Sequence, residues 1–397
     1  CPSYMATRNE QDTTRARANM LREMLTHSTK PNRFDHQEIM EVMDLCLSCK
    51  GCKSECPSNI DMTKLKAEFL QHYYDANGVP FRAKLVGAFN STMALASKFP
   101  GLFNFFSSNP FTSMVGKKVL GFTLKRPLPQ VDKLSLRSWY QKQWLPSNQQ
   151  KVTDKGKVLL FCDEFSNYQE TSIGRSTVQL LARLGYEVVI PDHLESGRTY
   201  LSKGLVRKAK DLAIENVKIL SPLVDENTPI IGIEPSAILT LRDEYIDLVP
   251  NVLSNEAQTL ADHTLLIDEF ISQEIDRGHI TSDIFTVEQK SIRLHGHCHQ
   301  KALSSMSHTQ KMLSLPKNFQ VQLIPSGCCG MAGSFGYEKE HYEVSMQIGE
   351  LVLFPYIRNT SQDVVIAAPG TSCRHQIKDG TGRTAMHPVE ILFKALT

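Results

Sequence analysis

Apolar and polar positions follow two different rhythms along this chain, and the change falls near residue 157. Before it, apolar residues recur at helical spacing. Helices are predicted over Thr13–Leu25, Gln37–Leu45 and Met62–Tyr74, the last two flanking a cysteine-rich loop. From Lys157 onward, short apolar runs alternate with longer amphipathic stretches. Val158–Phe161, Val188–Ile190 and Pro229–Ile233 read as strands. Ser172–Leu184, stopped by Gly185, and Leu205–Leu220 read as helices between them. Strands alternating with helices of this length predict an α/β fold with a largely parallel sheet. The pattern then returns in Ser291–His295, Val321–Pro325 and Val364–Pro369. Pro325 and Pro369 each lie 134 positions after their counterparts, Pro191 and Pro235 (325 − 191 and 369 − 235). Three anchors in register predict an internal duplication. The expected organisation is a helical ferredoxin-like segment over 1–75, a connector over 76–156, and two duplicated α/β lobes with parallel sheets over 157–279 and 280–397.

Nine of the ten cysteines fall into two clusters. Cys46, Cys49, Cys52 and Cys56, the last followed by Pro57, form C-x2-C-x2-C-x3-C-P. Two-residue gaps let one tight loop wrap three thiolates around one face of a cubane cluster, and the fourth thiolate then comes from elsewhere. The chain opens on Cys1-Pro2, the tail of such a motif. Cys1, Cys46, Cys49 and Cys52 are therefore expected to hold one [4Fe-4S] cluster. Cys56 would serve a second cluster whose other ligands lie upstream, so the chain reads as a fragment. Structural zinc would use the same residue type, but usually as two separated pairs. Disulfides are not needed by a chain able to bury a large core, and reduced cysteines fit a cytoplasmic protein. Arg15 and Arg17 could offset cluster charge, or could be ordinary exposed helix residues.

Composition changes little: 397 residues, 41% hydrophobic, 22% charged and a net charge of +2 describe an ordinary globular protein with no reason to bind nucleic acid. No apolar run approaches the roughly 18–20 residues that span a bilayer. Local charge is more telling. No acidic residue occurs between Asp75 and Asp132, while Arg82, Lys84, Lys98, Lys117, Lys118, Lys125 and Arg126 do, together with Phe99, Phe103, Phe105, Phe106, Phe111 and Phe122. The simpler expectation is a helical connector that packs its aromatics on a neighbouring domain and leaves its lysines in solvent. The alternative is peripheral contact with an anionic membrane.

The second cluster sits at predicted strand ends, where such folds build sites. It comprises Cys298 in His295-Gly-His297-Cys298-His299, Cys328 and Cys329 between Gly327 and Gly330, and Cys373. Four thiolates on three loops suffice for an iron–sulfur or zinc site, with His297, His299 and His375 as further ligands or as donors to sulfur. Buried free cysteines are the metal-free alternative. A shift of 134 positions sets Glu164 opposite Cys298, Leu194 and Glu195 opposite Cys328 and Cys329, and Leu239 opposite Cys373. The first lobe thus lacks the thiolates, and its lone Cys162 is expected to be structural.

Gly327-Cys-Cys-Gly330, with Cys298 before it and Cys373 after it, resembles the cysteine-rich CCG domain. That domain is duplicated in heterodisulfide reductase subunits and in the iron–sulfur subunit of anaerobic glycerol-3-phosphate dehydrogenase. The Cys46–Pro57 motif, the stretch His295–Leu303 and Leu241-Arg-Asp-Glu-Tyr245 look most like the C-terminal half of fused FAD/iron–sulfur oxidoreductases of the D-lactate, glycolate and D-2-hydroxyglutarate type. The resemblance implies an upstream flavin domain that oxidises a 2-hydroxy acid, and an iron–sulfur half that passes electrons to a quinone or other acceptor. It also implies an alternative, a stand-alone iron–sulfur subunit of a glycerol-3-phosphate or heterodisulfide-reductase-like complex. In a fully equipped CCG lobe a C-x2-C pair brings the thiolates to five. Here Gly370 stands at the first position of that pair and four remain. No Gly-rich phosphate loop with a following acid appears, so FAD is expected only outside this chain.

Overall fold

The computed structural model describes residues 1–148 and 155–397. Positions 149–154, within the predicted connector, lie outside the described residues. Five helices build the N-terminal segment: α1 (Pro2–Thr7), α2 (Thr14–His27), α3 (Gln37–Asp44), α4 (Gly51–Glu55) and α5 (Met62–Asn77). The Thr13 hydroxyl caps α2 by accepting from the Ala16 N–H, and the Asp61 carboxylate caps α5 through Thr63. Leu21, Ile39, Met43, Met62, Phe69 and Leu70 form their shared core.

The connector continues as α6 (Phe81–Gly87), α7 (Phe89–Ala96), α8 (Pro100–Ser108) and α9 (Pro110–Leu120). The simpler expectation holds only in part. Lys84, Lys98, Lys118 and Lys125 are in solvent and Phe89 and Phe103 are packed, but two cations are buried and several aromatics are not. Arg126 is wholly buried and pairs with Asp379 at 2.5 Å, and Lys117 is also buried. Phe99, Phe105, Phe106 and Phe111 stand outward, 66%, 59%, 49% and 70% exposed. Ion pairs tie the connector to lobe two: Arg82 reaches Glu338 and Glu340, and at the surface Lys125 reaches Glu343 at 2.5 Å. On the proline-started α8 and α9, Phe103 packs with Met93 and Val131 while Phe105, Phe106 and Phe111 are left facing outward.

Each lobe carries one four-stranded parallel sheet. The first comprises β1 (Lys157–Phe161), β2 (Glu187–Val189), β3 (Ile230–Gly232) and β4 (Thr264–Leu266), in the order β2-β1-β3-β4. The second comprises β5 (Lys290–Leu294), β6 (Phe319–Leu323), β7 (Val365–Ala367) and β8 (Ala385–Met386), in the order β6-β5-β7-β8. The duplication therefore extends to topology. A single offset does not describe it, however. Strand starts lie 133 positions apart for β1 and β5 (290 − 157), 135 for β3 and β7 (365 − 230), and 121 for β4 and β8 (385 − 264). The first lobe runs through helices Glu244–Leu248 and Ser254–Asp262 before β4, where the second has only Thr371–Thr381 before β8. The fourth strands escaped sequence reading because β4 passes directly into the helix Ile267–Asp276 and β8 is only two residues long. One core joins the lobes, with Val158, Leu160 and Ile231 of the first packed together with Ile292, Leu294 and Ala367 of the second.

Candidate metal centres

The loop after α3 is wound by residues in the left-handed region: Ser48 (φ 50°), Lys50 (φ 60°) and, past Cys56, Asn59 (φ 55°). Such backbone is costly outside glycine and persists only where its surroundings hold it. Lys50 is the visible clamp. Its buried ammonium sits 2.8 Å from Asp61, 2.6 Å from Asp243 and 3.0 Å from Glu244. The last two belong to the Leu241–Tyr245 stretch of lobe one, so the loop is locked onto that lobe. Burial works against the charge, but the three carboxylates outweigh it and raise the Lys50 pKa.

The Cys46, Cys49 and Cys52 thiols lie close enough to influence one another. Burial, and next the nearby Cys298 thiol, push Cys49 up to about 12. Cys1 begins the chain ahead of α1, where its sulfur takes a hydrogen bond from Arg17 at 3.1 Å. The same buried guanidinium donates to the Val42 carbonyl on α3. Arg17 thus ties Cys1 to the helix that leads into Cys46, whereas Arg15 is exposed and paired with Glu10. Cys56 differs from the other cysteines. Backbone N–H groups of Ile60, Ser58 and Asn59 hold its thiol below the usual range, a setting made for thiolate.

In lobe two, Cys298 opens the helix Cys298–Leu303, Cys328 and Cys329 follow β6, and Cys373 lies on the helix Thr371–Thr381. Their sulfurs touch in series: Cys298 with Cys328, Cys328 with Cys329, and Cys329 with Cys373. Cys298 is pushed well up, first by its bond to Cys328 and then by burial. Packed thiols in a dry pocket cannot all ionise unless a cation neutralises them, so the donor set suits a metal or cluster. Gly330 (φ 94°) makes the fold possible, because a Cβ there would stand 2.3 Å from the Ser345 carbonyl oxygen.

Sequence reasoning named three histidines near this site and passed over a fourth. His295 is fully buried, and its Nδ1 lies 2.7 Å from the Ser326 hydroxyl. Its Nε2 has no hydrogen-bond partner. A ligand nitrogen of His295 and the sulfurs of Cys329 and Cys373 lie within 4.8 Å of one another. The named histidines are otherwise engaged. His299 Nε2 meets the Ser48 carbonyl at 2.9 Å, His375 Nδ1 meets the Tyr337 hydroxyl at 3.1 Å, and His297 Nδ1 accepts from the His299 N–H. Burial holds His295, His297 and His299 below the usual imidazole range, hence neutral, the form that can ligate a metal. The overlooked signal was position: His295 directly follows β5, as Cys162 directly follows β1.

Gly370 explains the missing fifth thiolate. A Cβ at that position would lie 2.4 Å from the His297 ring, so imidazole occupies the space. The first lobe mirrors the site with carboxylates. Glu164 opens the helix equivalent to Cys298–Leu303 and bonds Ser196, while burial and then Glu164 push the Glu195 pKa up to about 8. Aligning helix starts at Pro235 and Thr371 puts Ala237, rather than Leu239, opposite Cys373. Lobe one also buttresses its twin. Glu234 accepts from the Thr371 N–H at 2.8 Å, and Glu170 holds Arg374 at 2.5 Å, both on the Cys373 helix.

The two cysteine sites meet. Cys49 packs in one cluster with Cys298 and Cys328, and the His299–Ser48 bond spans the same junction. A cavity of about 470 Å³ runs past them, lined by Cys46, all four lobe-two cysteines and much of the connector.

The cysteine spacing and these paired sites suit iron–sulfur chemistry, and comparison with known proteins points the same way. Residues 1–61 match a 4Fe-4S dicluster domain. The chain is 27% identical to the D-2-hydroxyglutarate dehydrogenase of Pantoea ananatis over 373 residues, covering 91% of this chain and 35% of that protein. It is 28% identical over 278 residues to one of the subunits of the anaerobic glycerol-3-phosphate dehydrogenase of Escherichia coli, covering 68% and 66% of the two chains. With lactate utilization protein A of Bacillus subtilis it shares 26% identity over 249 residues, 59% of this chain and 98% of that one. The resemblance read from the motifs therefore holds along the chain, which spans about a third of the D-2-hydroxyglutarate dehydrogenases it matches.

Proposed function

We propose that this chain is the iron–sulfur electron-transfer half of an FAD-dependent D-2-hydroxyacid dehydrogenase, divided at 1–75, 76–156, 157–279 and 280–397. A flavin domain outside these residues oxidises the hydroxy acid, and a quinone or other carrier takes the electrons. Cys1, Cys46, Cys49 and Cys52 would hold one [4Fe-4S] cluster, and Cys56 would contribute to another. Cys298, Cys328, Cys329 and Cys373, joined by His295, would hold the second metal or cluster. When bound, a thiolate-held cluster accepts and releases one electron at a time, which a two-electron flavin requires of its partner.

The observation that carries this reading is the contact between the two sites, with Cys49 packed against Cys298 and Cys328. A purely structural metal would gain nothing from that adjacency. The chain's part is to fix the spacing through Lys50 and the Ser48–His299 bond, and to exclude water from the thiols. The exposed phenylalanines of the connector favour a cytoplasmic protein in peripheral contact with a membrane. A stand-alone iron–sulfur subunit is the second reading. It is favoured by the match that covers nearly all of lactate utilization protein A.

The test is iron, zinc and acid-labile sulfide on anaerobically purified protein, with low-temperature EPR after dithionite. About eight iron and eight sulfide per chain, two cubanes, support a relay through both sites. About four iron with one zinc would reduce the lobe-two site to a structural role.

A further inference from the structure

The thiolate-free lobe reaches into the lobe-two site with two carboxylates, and only one of them is matched by a cation. Glu170 is matched: it accepts from Nε and a terminal nitrogen of the buried Arg374, at 3.2 Å and 2.5 Å. Glu234, just past β3, is 4% exposed, and among the described residues no lysine or arginine pairs with it. Arg374 feels its charge, but the nitrogens of Arg374 are taken by Glu170 and by the Ala368 and Pro369 carbonyls.

The donors to Glu234 are neutral. Oε1 accepts from the Ser236 hydroxyl at 2.8 Å and the Ser236 N–H at 3.3 Å, and Oε2 accepts from the Thr371 N–H at 2.8 Å. Oε1 also stands 3.7 Å from His297 Nε2. Because His297 Nδ1 accepts from the His299 N–H, Nε2 carries the ring proton and faces the carboxylate as a donor. Both partners lie against the thiol set. Thr371 opens the helix Thr371–Thr381 two residues before Cys373. A Cβ at Gly370 would lie 2.4 Å from His297 Cδ2 and 3.3 Å from Cys373 Sγ, so ring and sulfur flank the same point. A buried carboxylate without a cation is costly, and here N–H and O–H donors alone offset that cost. Net charge and hydrogen bonding around the sulfurs set an iron–sulfur potential, and a negative charge nearby opposes an added electron.

We propose that Glu234 is a positioning residue that sets the reduction potential of the lobe-two centre. From the lobe without thiolates, it orients His297 and the Cys373 helix and holds that potential down. The inference rests on the reading of Cys298, Cys328, Cys329 and Cys373 as an electron-carrying centre. It gives the first lobe a part in that centre: charge where its twin supplies sulfur.

The experiment is a potentiometric titration of the full-length protein, purified anaerobically, reduced with dithionite and followed by low-temperature EPR. The signal lost in Cys373→Ser marks the lobe-two centre. Glu234→Gln removes the charge and keeps an acceptor for the Thr371 N–H. It should favour the reduced centre at least tenfold, an upward shift of about 59 mV or more for one electron, with iron and sulfide unchanged. Glu234→Asp, which keeps the charge, should stay near the wild-type midpoint. An unmoved midpoint in Glu234→Gln would overturn this inference alone, as would a Glu234→Asp midpoint shifted as far as that of Glu234→Gln. Wild-type protein with no reducible centre that depends on Cys373 would overturn the relay reading, and this inference with it.

Discussion

His295 and His341 show how single side chains set the properties of this protein. His295 has a buried Nε2 with no hydrogen-bond partner and a ring nitrogen within 4.8 Å of the Cys329 and Cys373 sulfurs. His295→Ala is therefore expected to weaken metal retention by at least about tenfold, read as zinc or iron left after chelator challenge. Metal content equal to wild type would remove His295 from the ligand set. His341 acts on stability. It lies 2.7 Å from Asp44 on α3 and 3.1 Å from Glu338, joining the N-terminal segment to lobe two. Burial works to lower its pKa, but the bond to Asp44 and the nearby Glu338 carboxylate win and raise it above 6.5. A raised imidazole stabilises the fold below its unfolded value and loses that contribution as pH climbs through the folded one. Asp44 and Glu338 are held below their usual values despite burial, so their contribution is lost in acid. The contact should be strongest at roughly pH 4.5 to 6.5. In thermal melts, buried histidines held neutral, such as His295, His297 and His299, move the Tm of wild type and His341→Gln alike. The Tm advantage of wild type over His341→Gln should therefore shrink from pH 6 toward pH 8.5.

Among the elements, the cysteine loop depends most on a distant partner. Its left-handed residues are held by Lys50, buried against Asp61, Asp243 and Glu244. Lys50→Met would leave those carboxylates without their shared cation. The expected cost is about 3 kcal/mol or more in chemical denaturation, with a changed EPR line shape or loss of the N-terminal cluster. A melt and spectrum indistinguishable from wild type would mean that Lys53, Lys64 and Arg198, which share the same acids, carry the junction instead. Elements with long periodic runs were legible in the sequence. α2, α3, α5 and six of the eight strands lie within a few residues of their predicted spans. β4 and β8 were not, because β4 runs straight into the helix Ile267–Asp276 and the two residues of β8 carry no period. The connector's helical content was legible but its facing was not. Which way Arg126 points depends on Asp379 and Gln376, more than 200 positions further along.

For the whole molecule, the proposed function requires electrons to cross between parts of the chain far apart in sequence. Cys46→Ser in the full-length enzyme should leave substrate-driven flavin bleaching near the wild-type rate and lower acceptor reduction by at least about a hundredfold, the pattern of a broken relay. Acceptor turnover that survived would show that electrons bypass the loop. Sequence alone determined which residues carry the candidate chemistry. The C-x2-C-x2-C-x3-C-P spacing, the Gly-Cys-Cys-Gly element and the repeated strand anchors are local patterns, and local patterns survive in one dimension. Tertiary structure decided everything that rests on residues meeting across the chain: Cys49 against Cys298, His297 in the space left by Gly370, His295 as an unpaired donor, and the cavity between the thiols and the connector. Those contacts exist only once two sheets and a helical segment have packed around common cores, because their geometry is set by burial and packing and not by distance along the chain.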